Sequence, residues 1–281
     1  EVLYVGSIMY EVLLPSFVSG LISYHIASAL GIKYIHHHLD VSFGFSETFL
    51  IKVIFLGILF GISARMFIEI MKFFNKLKKK IKVWEPARAV IAGIALVILT
   101  FIFSEKFLGL GIDTIKDSLE GKNIVWYAFF VKMIFTAITL EFGGSGGIIT
   151  PIFFIGATSG SAFGHLVGID TGTASAIGLV SLLAGCANTP ISASIMAIEM
   201  FGVEIAPFAA LSCIISYIMT GYESVYPSQV IAAKKTAEVE IEVGKEIEEA
   251  EPKIEIEDIG LLNFKFAEQK LKKLKIKKQR K

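Results

Sequence analysis

Gly143-Gly144-Ser145-Gly146-Gly147-Ile148-Ile149-Thr150-Pro151 separates two long apolar segments. The segment before it, Val125 to Leu140, carries one charge, Lys132, and the segment after it, Ile152 to Gly168, has only His165 to titrate. Backbone that leaves the helical state at bilayer depth exposes amides and carbonyls that lipid cannot satisfy, so it is tolerated where it lines a cavity or is buried in protein. Glycine lets the amides point outward, and a helix restarting near Pro151 brings its positive dipole end beside them. Two readings follow. The stretch is an anion site held at membrane depth by backbone amides, or it is a plain turn between two spans.

Composition independently points to a membrane protein. Hydrophobic residues make up 54% of it, with 23 Phe, well above the apolar share of soluble domains, and the mean hydropathy is +0.66. Val12 to Leu30, Phe49 to Ile70, Ala89 to Phe103 and Ile124 to Leu140 approach the roughly 20 apolar residues that a helical span needs. Beyond Gly147 the apolar runs are shorter, with Gly or Pro at Gly168, Gly185, Pro190, Gly202 and Pro207. Such broken, uneven helices suit a channel or transporter better than a simple bundle. The expected fold is therefore all-α and polytopic, with broken and tilted helices. Lys72, Lys76, Lys78, Lys79, Lys80 and Lys82 form the strongly basic internal loop, which the positive-inside rule puts in the cytoplasm. The basic end of the tail belongs there too, so an even number of crossings separates the two. The net charge of +1 averages a neutral membrane part with a patterned tail and decides little.

Four segments, in order, resemble the CLC family of chloride channels and proton-coupled chloride transporters. Lys132-Met133 to Leu140, Gly144 to Pro151 and Phe154-Ile155-Gly156-Ala157 resemble its GxFxP region, and Leu108-Gly109-Leu110-Gly111-Ile112-Asp113-Thr114-Ile115 its extracellular-side connector. Ala184 to Ala193, followed by Glu199, resembles the junction of two late helices. Ser224-Val225-Tyr226-Pro227-Ser228-Gln229 resembles the start of the last helix, which carries the pore tyrosine. Ile149 stands where the family usually has phenylalanine; an amide contact survives that change, and the side chain packed beside the pore does not.

The resemblance implies a transmembrane domain over 1–233, comprising the end of the first inverted repeat and nearly all of the second, and a short cytoplasmic tail over 234–281. It implies that Glu1 opens within a helix, that the serine-bearing GSGIP motif and the gating glutamate of GREGP belong to a missing first part, and that a half-pore does not conduct by itself. Chloride would be held by the amides of Ile148 and Ile149, with Gly146 and Gly147 allowing close approach and the Tyr226 hydroxyl donating from the inner side. No full positive charge is needed there, since a lysine would hold the ion too tightly for rapid exit. Tyr226 as an interfacial belt residue is the plainer alternative. Where proton-coupled members often have two consecutive glutamates this chain has Glu1-Val2, and valine carries no proton, which points to a passive channel or a weakly coupled exchanger. The family is homodimeric with one pore per subunit. The contacts would come from Leu13 to Leu30 and Ile191 to Met219, where Ser19, Gly20, Ser192, Ala193 and Ser194 allow close approach in lipid, or else those faces meet lipid.

The remaining features are weaker. Glu199 is an intramembrane charge with a function, a cap or an ion-pair partner, and no transport role is assigned to it. His165 reads as packed or interfacial. Cys186 and Cys213 read as small buried residues, not a disulfide framework. His36-His37-His38 lacks acidic or Cys partners at ligand spacing and reads as a solvated loop with no metal. In the tail, Glu238 to Asp258 alternates acidic and aliphatic residues, which reads as short strands. From Lys265 the pattern is Lys with Leu and Ile at helical spacing, which suits anionic headgroups, an acidic partner block or disorder. The tail is too short for paired nucleotide-sensing domains, so no cofactor is expected. Ser/His/Asp sets, HExxH and paired carboxylates are missing from the spans, which argues against an enzyme, and nothing suggests nucleic acid. The rivals are a carrier of another anion such as fluoride or nitrate, and a non-conducting membrane anchor, which would not need glycine-flanked broken helices.

Overall fold

A computed structural model describes residues 1–32, 47–235, 239–240, 242–249 and 253–254. The histidine triplet and everything from 255 onward, including the basic tail segment, lie outside the described residues. Among the described residues the chain forms α1 (Leu13–Ala29), α2 (Glu47–Lys80), α3 (Glu85–Ile102), α4 (Ile112–Leu119), α5 (Ala128–Glu141), α6 (Ile149–Val167), α7 (Thr171–Ala187), α8 (Pro190–Phe201) and α9 (Ala206–Thr220). Two-residue strands complete it: β1 (Tyr4–Val5), β2 (Val230–Ile231), β3 (Val239–Glu240) and β4 (Lys253–Ile254). The expected all-α polytopic fold is present. Tyr10–Ala29, α2, α3 and Val203–Thr220 are long and apolar enough to span a bilayer, whereas the expected span Ile124 to Leu140 is not, because α5 begins only at Ala128 and has 14 residues.

α7 is the axis of the domain. It is apolar or small-sided on every face, as a helix surrounded by protein must be, and every residue from Gly172 to Ala187 is buried. α2, α6, α8 and α9 pack around it. Asp170 caps its N-terminus, its carboxylate accepting from the Thr173 amide at 2.8 Å and the Thr173 hydroxyl at 2.9 Å. Asn188 ends it in the left-handed conformation, φ 58°. Gly185 does not interrupt this helix, contrary to the sequence expectation. A Cβ there would lie 2.6 Å from Ser216 Oγ and 2.8 Å from Ala64 Cβ, so the glycine serves close packing of α7 on α9 and α2. Gly168 and Gly202 do end helices, and Pro190 and Pro207 sit in the first turns of α8 and α9.

Two other expectations fail in instructive ways. The basic run from Lys72 to Lys80 is not a loop: it is the last part of α2, a helix of 34 residues. At 1.5 Å per residue α2 extends about 51 Å, well beyond a hydrocarbon core of about 30 Å, so its lysine-rich end projects past the apolar layer. Lys78, Lys79 and Lys80 occupy the last turn, where cations are favoured by the helix dipole. Neither chain segment expected to be helical near the termini is so. Glu1 precedes β1, and Gln229 leads into β2, which pairs in parallel with β1, Tyr4 beside Val230 and Val5 beside Ile231. β-branched Val230 and Ile231 follow Pro227 and suit a strand better than a helix start. The alternation in the tail does give strands, β3 and β4 pairing antiparallel.

α1 has no buried residue and α3 has one, Ala92. Ile191, Ile195 and Ile198 on α8, with Ile214 and Ile218 on α9, are also exposed. Surfaces this apolar fit lipid or another membrane-embedded protein.

Candidate functional site

α5 ends at Glu141 because Gly143, at φ 104°, turns the chain out of the helix, and the Gly144 amide folds back on Thr139 O at 2.8 Å. α6 then begins at Ile149, and the first backbone bond that closes its turn is Ile152 N to Ile148 O, 3.1 Å. Between these two bonds the amides of Ser145, Gly146, Gly147, Ile148, Ile149 and Thr150 find no protein acceptor among the described residues. Pro151, next in line, has no N–H to satisfy. Six successive amides at the positive end of a helix of 19 residues are a site for negative charge.

Gly146 and Gly147 line a cavity of about 160 Å³ together with Ser145, Thr136, Thr139 and Lys132. Lys132 lies outside the residues that the sequence assigns to the anion, and it brings a full positive charge to the cavity wall. It is 2% exposed, and its ammonium donates to Phe107 O at 2.9 Å and Gly109 O at 2.6 Å while lying 4.9 Å from the centre of the Phe154 ring. Among the described residues it has no carboxylate in ion-pair range. A buried ammonium is favourable only when its charge is compensated, and here two carbonyls and a ring face supply part of that. Its charge thus acts on the cavity from a fixed position, without the direct grip that would trap an ion. The one sequence signal was its isolation in an otherwise apolar run. Gly111, at φ 69°, brings the 108–111 connector so close that a Cβ would strike the Phe154 ring at 2.5 Å.

Ile148, Ile149, Gly146 and Gly147 therefore stand together at one helix start, as expected. Tyr226 reaches the same core from another direction: Tyr226 and Ile148 both pack, half-buried, against the cluster built around α7. Its segment is fastened to the C-terminal end of α7. Val225 N and Ser224 Oγ both donate to Cys186 O, at 2.9 and 3.2 Å, and Tyr226 N donates to Ser224 Oγ at 3.1 Å. Glu1, at the other end of the chain, accepts from the Ile191 and Ser192 amides at 3.1 and 2.7 Å, capping α8.

A second polar cavity, about 370 Å³, opens beside the Tyr226 segment between Lys72, Lys76, Lys79, Glu141, Glu223 and Ser224. Glu223 is ion-paired with Lys72 and lies 3.8 Å from Arg65, and Asn75 donates to Glu141 at 2.9 Å. Glu199 is exposed and shares a third, mostly apolar cavity of about 480 Å³ with Lys116 and Thr150. His165 is exposed in the last turn of α6. Cys186 and Cys213 are free and buried, as expected of packing residues. Among the described residues no group of His, Cys, Asp and Glu could hold a metal ion.

The voltage gated chloride channel family model matches residues 1–221. A chloride/fluoride channel protein of Pseudomonas syringae pv. tomato is 32% identical over 242 residues, covering 84% of this chain and 53% of that protein. A voltage-gated ClC-type chloride channel, ClcB, of Escherichia coli O9:H4 is 23% identical over 179 residues, 60% of this chain and 43% of that one. The crystal structure of a CLC-type fluoride/proton antiporter superposes with a TM-score of 0.78 at 26% identity, over 82% of this chain and 58% of that one. The chain spans about half the length of the curated relatives it matches.

Proposed function

The chain belongs to the voltage gated chloride channel family, a family of membrane transport proteins, and from that premise we propose that it forms part of a pore for small monovalent anions. The observation that carries this is the run of six amides from Ser145 to Thr150 with no protein acceptor among the described residues, of which Ser145, Gly146 and Gly147 line a cavity together with the buried ammonium of Lys132. Such a site balances an anion's charge without a mobile side chain and releases it again, because no single donor dominates. Chloride is the first substrate proposed. Fluoride is the second, supported by the relatives whose names include it. Val2 at the position of a proton-relaying glutamate favours anion movement without stoichiometric proton exchange. The lysine-rich end of α2 and the tail are placed in the cytoplasm, so the basic cavity beside Tyr226 becomes the inner mouth, where it raises local anion concentration. The exposed apolar faces of α1, α8 and α9 are assigned to a homodimer with one pore per subunit.

Liposomes carrying the full-length protein, loaded in turn with chloride, fluoride and nitrate salts, provide the test. Anion efflux and proton movement are followed together. Chloride efflux with a silent proton signal is expected; efflux of fluoride alone would replace the substrate, and efflux of none would end the proposal. Tyr226 has its own test. Removing one hydrogen bond to a charged ion costs roughly 1.5–3 kcal/mol, so Tyr226→Phe is expected to weaken anion binding about tenfold or more with the protein still folded. Unchanged affinity in both Tyr226→Phe and Tyr226→Ala would remove the tyrosine from the pore.

A further inference from the structure

We propose that Lys235 is a positioning residue for the pore: it fixes the side-chain amide of Asn188, and through that amide it holds both flanks of Tyr226 in place. This rests on the role proposed above for Tyr226.

The residue lies past the matched family region, where the chain returns to the ends of α7 and α9. Its ammonium donates to Asn188 Oδ1 at 2.6 Å, to Tyr217 O at 3.1 Å and to Gly221 O, and it stacks 3.6 Å over the Tyr217 ring. Asn188 and Gly221 are the C-terminal caps of α7 and α9, so the cation sits at two negative helix ends. Its own amide donates to the Tyr222 hydroxyl at 2.5 Å.

The consequence is directional. An ammonium has donors and no acceptor, so Asn188 must turn its oxygen toward Lys235. That leaves the Asn188 NH₂ facing Glu223 O and Gln229 Oε1, both at 3.2 Å. Gln229, with its oxygen so engaged, turns its own NH₂ to Val2 O at 2.5 Å and Ala187 O at 2.7 Å. Glu223 and Gln229 bracket Tyr226, and Gln229 N also donates to Tyr226 O at 3.2 Å. One cation thus sets the polarity of every amide in the chain of bonds around the tyrosine. Remove it, and the Asn188 amide is free to rotate and face Glu223 O and Gln229 Oε1 with an acceptor.

Proton occupancy gives a readout that plain structural support would not. Burial pushes the Lys235 ammonium down to about 7. Among the described residues the ionisable groups around it are the phenols of Tyr217 and Tyr222, with Glu1 acting on Tyr217 from the α8 side and the Glu223 carboxylate turned away toward Lys72 and Arg65. Below the midpoint three N–H groups meet three oxygens; above it the neutral amine has two, and the Asn188 orientation relaxes. Docking of the segment runs the other way. An undocked Lys235 keeps its proton up to about 10.5 whereas the docked one loses it near 7, so docking strengthens as pH rises through that window.

The experiment is chloride binding by calorimetry on the full-length protein, with fluoride as a parallel probe, from pH 6 to 9, alongside hydrogen exchange at amides 225, 229, 244 and 247. Lys235→Met and Asn188→Gly, the latter compatible with φ 58°, are each expected to weaken anion binding several-fold to about tenfold. The double variant should be no worse than either alone, since both cut one path. In wild type, affinity and the protection of amides 225 and 229 fall as pH rises through about 7 while protection of amides 244 and 247 rises, and Lys235→Met abolishes the inflection. Additive losses, unaltered affinity in both variants, or an inflection that survives Lys235→Met would overturn the proposal. If Tyr226→Phe leaves binding unchanged while Lys235→Met still strips protection from amides 225 and 229, the tyrosine's pore role falls and the positioning of its segment stands.

Discussion

Gly160→Val is expected to leave almost no folded protein in the membrane. Gly156, Gly160 and Gly164 recur at helical spacing on α6 and lie directly on Ala174, Ser175 and Gly178 of α7. A Cβ at Gly160 would lie 2.6 Å from Ser175 Cα and closer still to Ala174 O; at Gly156 it would lie 2.6 Å from Gly178 O. These are backbone atoms, which have no rotamer to yield. In lipid there is little hydrophobic drive between helices, and close packing is what holds them together. Forcing even one methyl into such a seam typically costs about 1–3 kcal/mol, and valine adds three carbons where α6 and α7 must both move. Because α7 is the axis on which α2, α8 and α9 also pack, displacement spreads to every contact of the core. Gly93→Val is the control, since nothing lies within 4 Å of its Cβ position. Size-exclusion profiles of fluorescently tagged variants in mild detergent decide the matter. A Gly160→Val peak as large and as heat-stable as that of Gly93→Val would refute the seam.

Lys132→Met is expected to cost the anion site more than any other single change. At an effective dielectric of about 20, a unit charge roughly 4–8 Å from an anion contributes roughly 2–4 kcal/mol, which corresponds to about thirty- to several hundred-fold in affinity. Methionine also leaves Phe107 O and Gly109 O without their donor, which loosens the connector that forms one wall of the cavity. Lys132→Arg keeps the charge and is expected to recover part of the affinity at some packing cost against Phe154. Chloride and fluoride titrations of the reconstituted protein, read with thermal stability in detergent, separate the two effects. Equal anion affinity in wild type and a folded Lys132→Met would exclude the lysine from the site.

How much of this could be read in the sequence depends on whether the cause is local. The glycine run, Pro151 and the apolar runs are local signals, and they placed the start of α6 and three of the four expected spans; Ile124 to Leu140 fails because α5 covers only Ala128–Glu141. The resemblance placed Tyr226 on a helix that the structure replaces with a strand, because Val230 and Ile231 find β1 beside them. Gly185 looks like a breaker in sequence and is a contact in space. The lysines from Lys72 to Lys80 looked like a loop by charge, yet lysine is a good helix former and nothing in the run stops α2. Lys132 and Lys235 show the same limit from the other side. Each is one charge among many in a list of residues, and each acquires its meaning only from carbonyls more than ten positions away, such as Phe107, Gly109 and Gly221.

The short pairing of β1 with β2 has a topological corollary. It brings Val5 beside Ile231, so the backbone from one to the other, closed by that ladder, is a loop, and a closed loop pierces any plane an even number of times. Whatever the tilt of the individual helices, and however many of the shorter ones stop halfway, the complete membrane passages between residues 5 and 231 form an even number. An impermeant reagent that finds the exposed Ser7, two residues from Val5, on one face of the bilayer has thereby located Ile231 on that face as well.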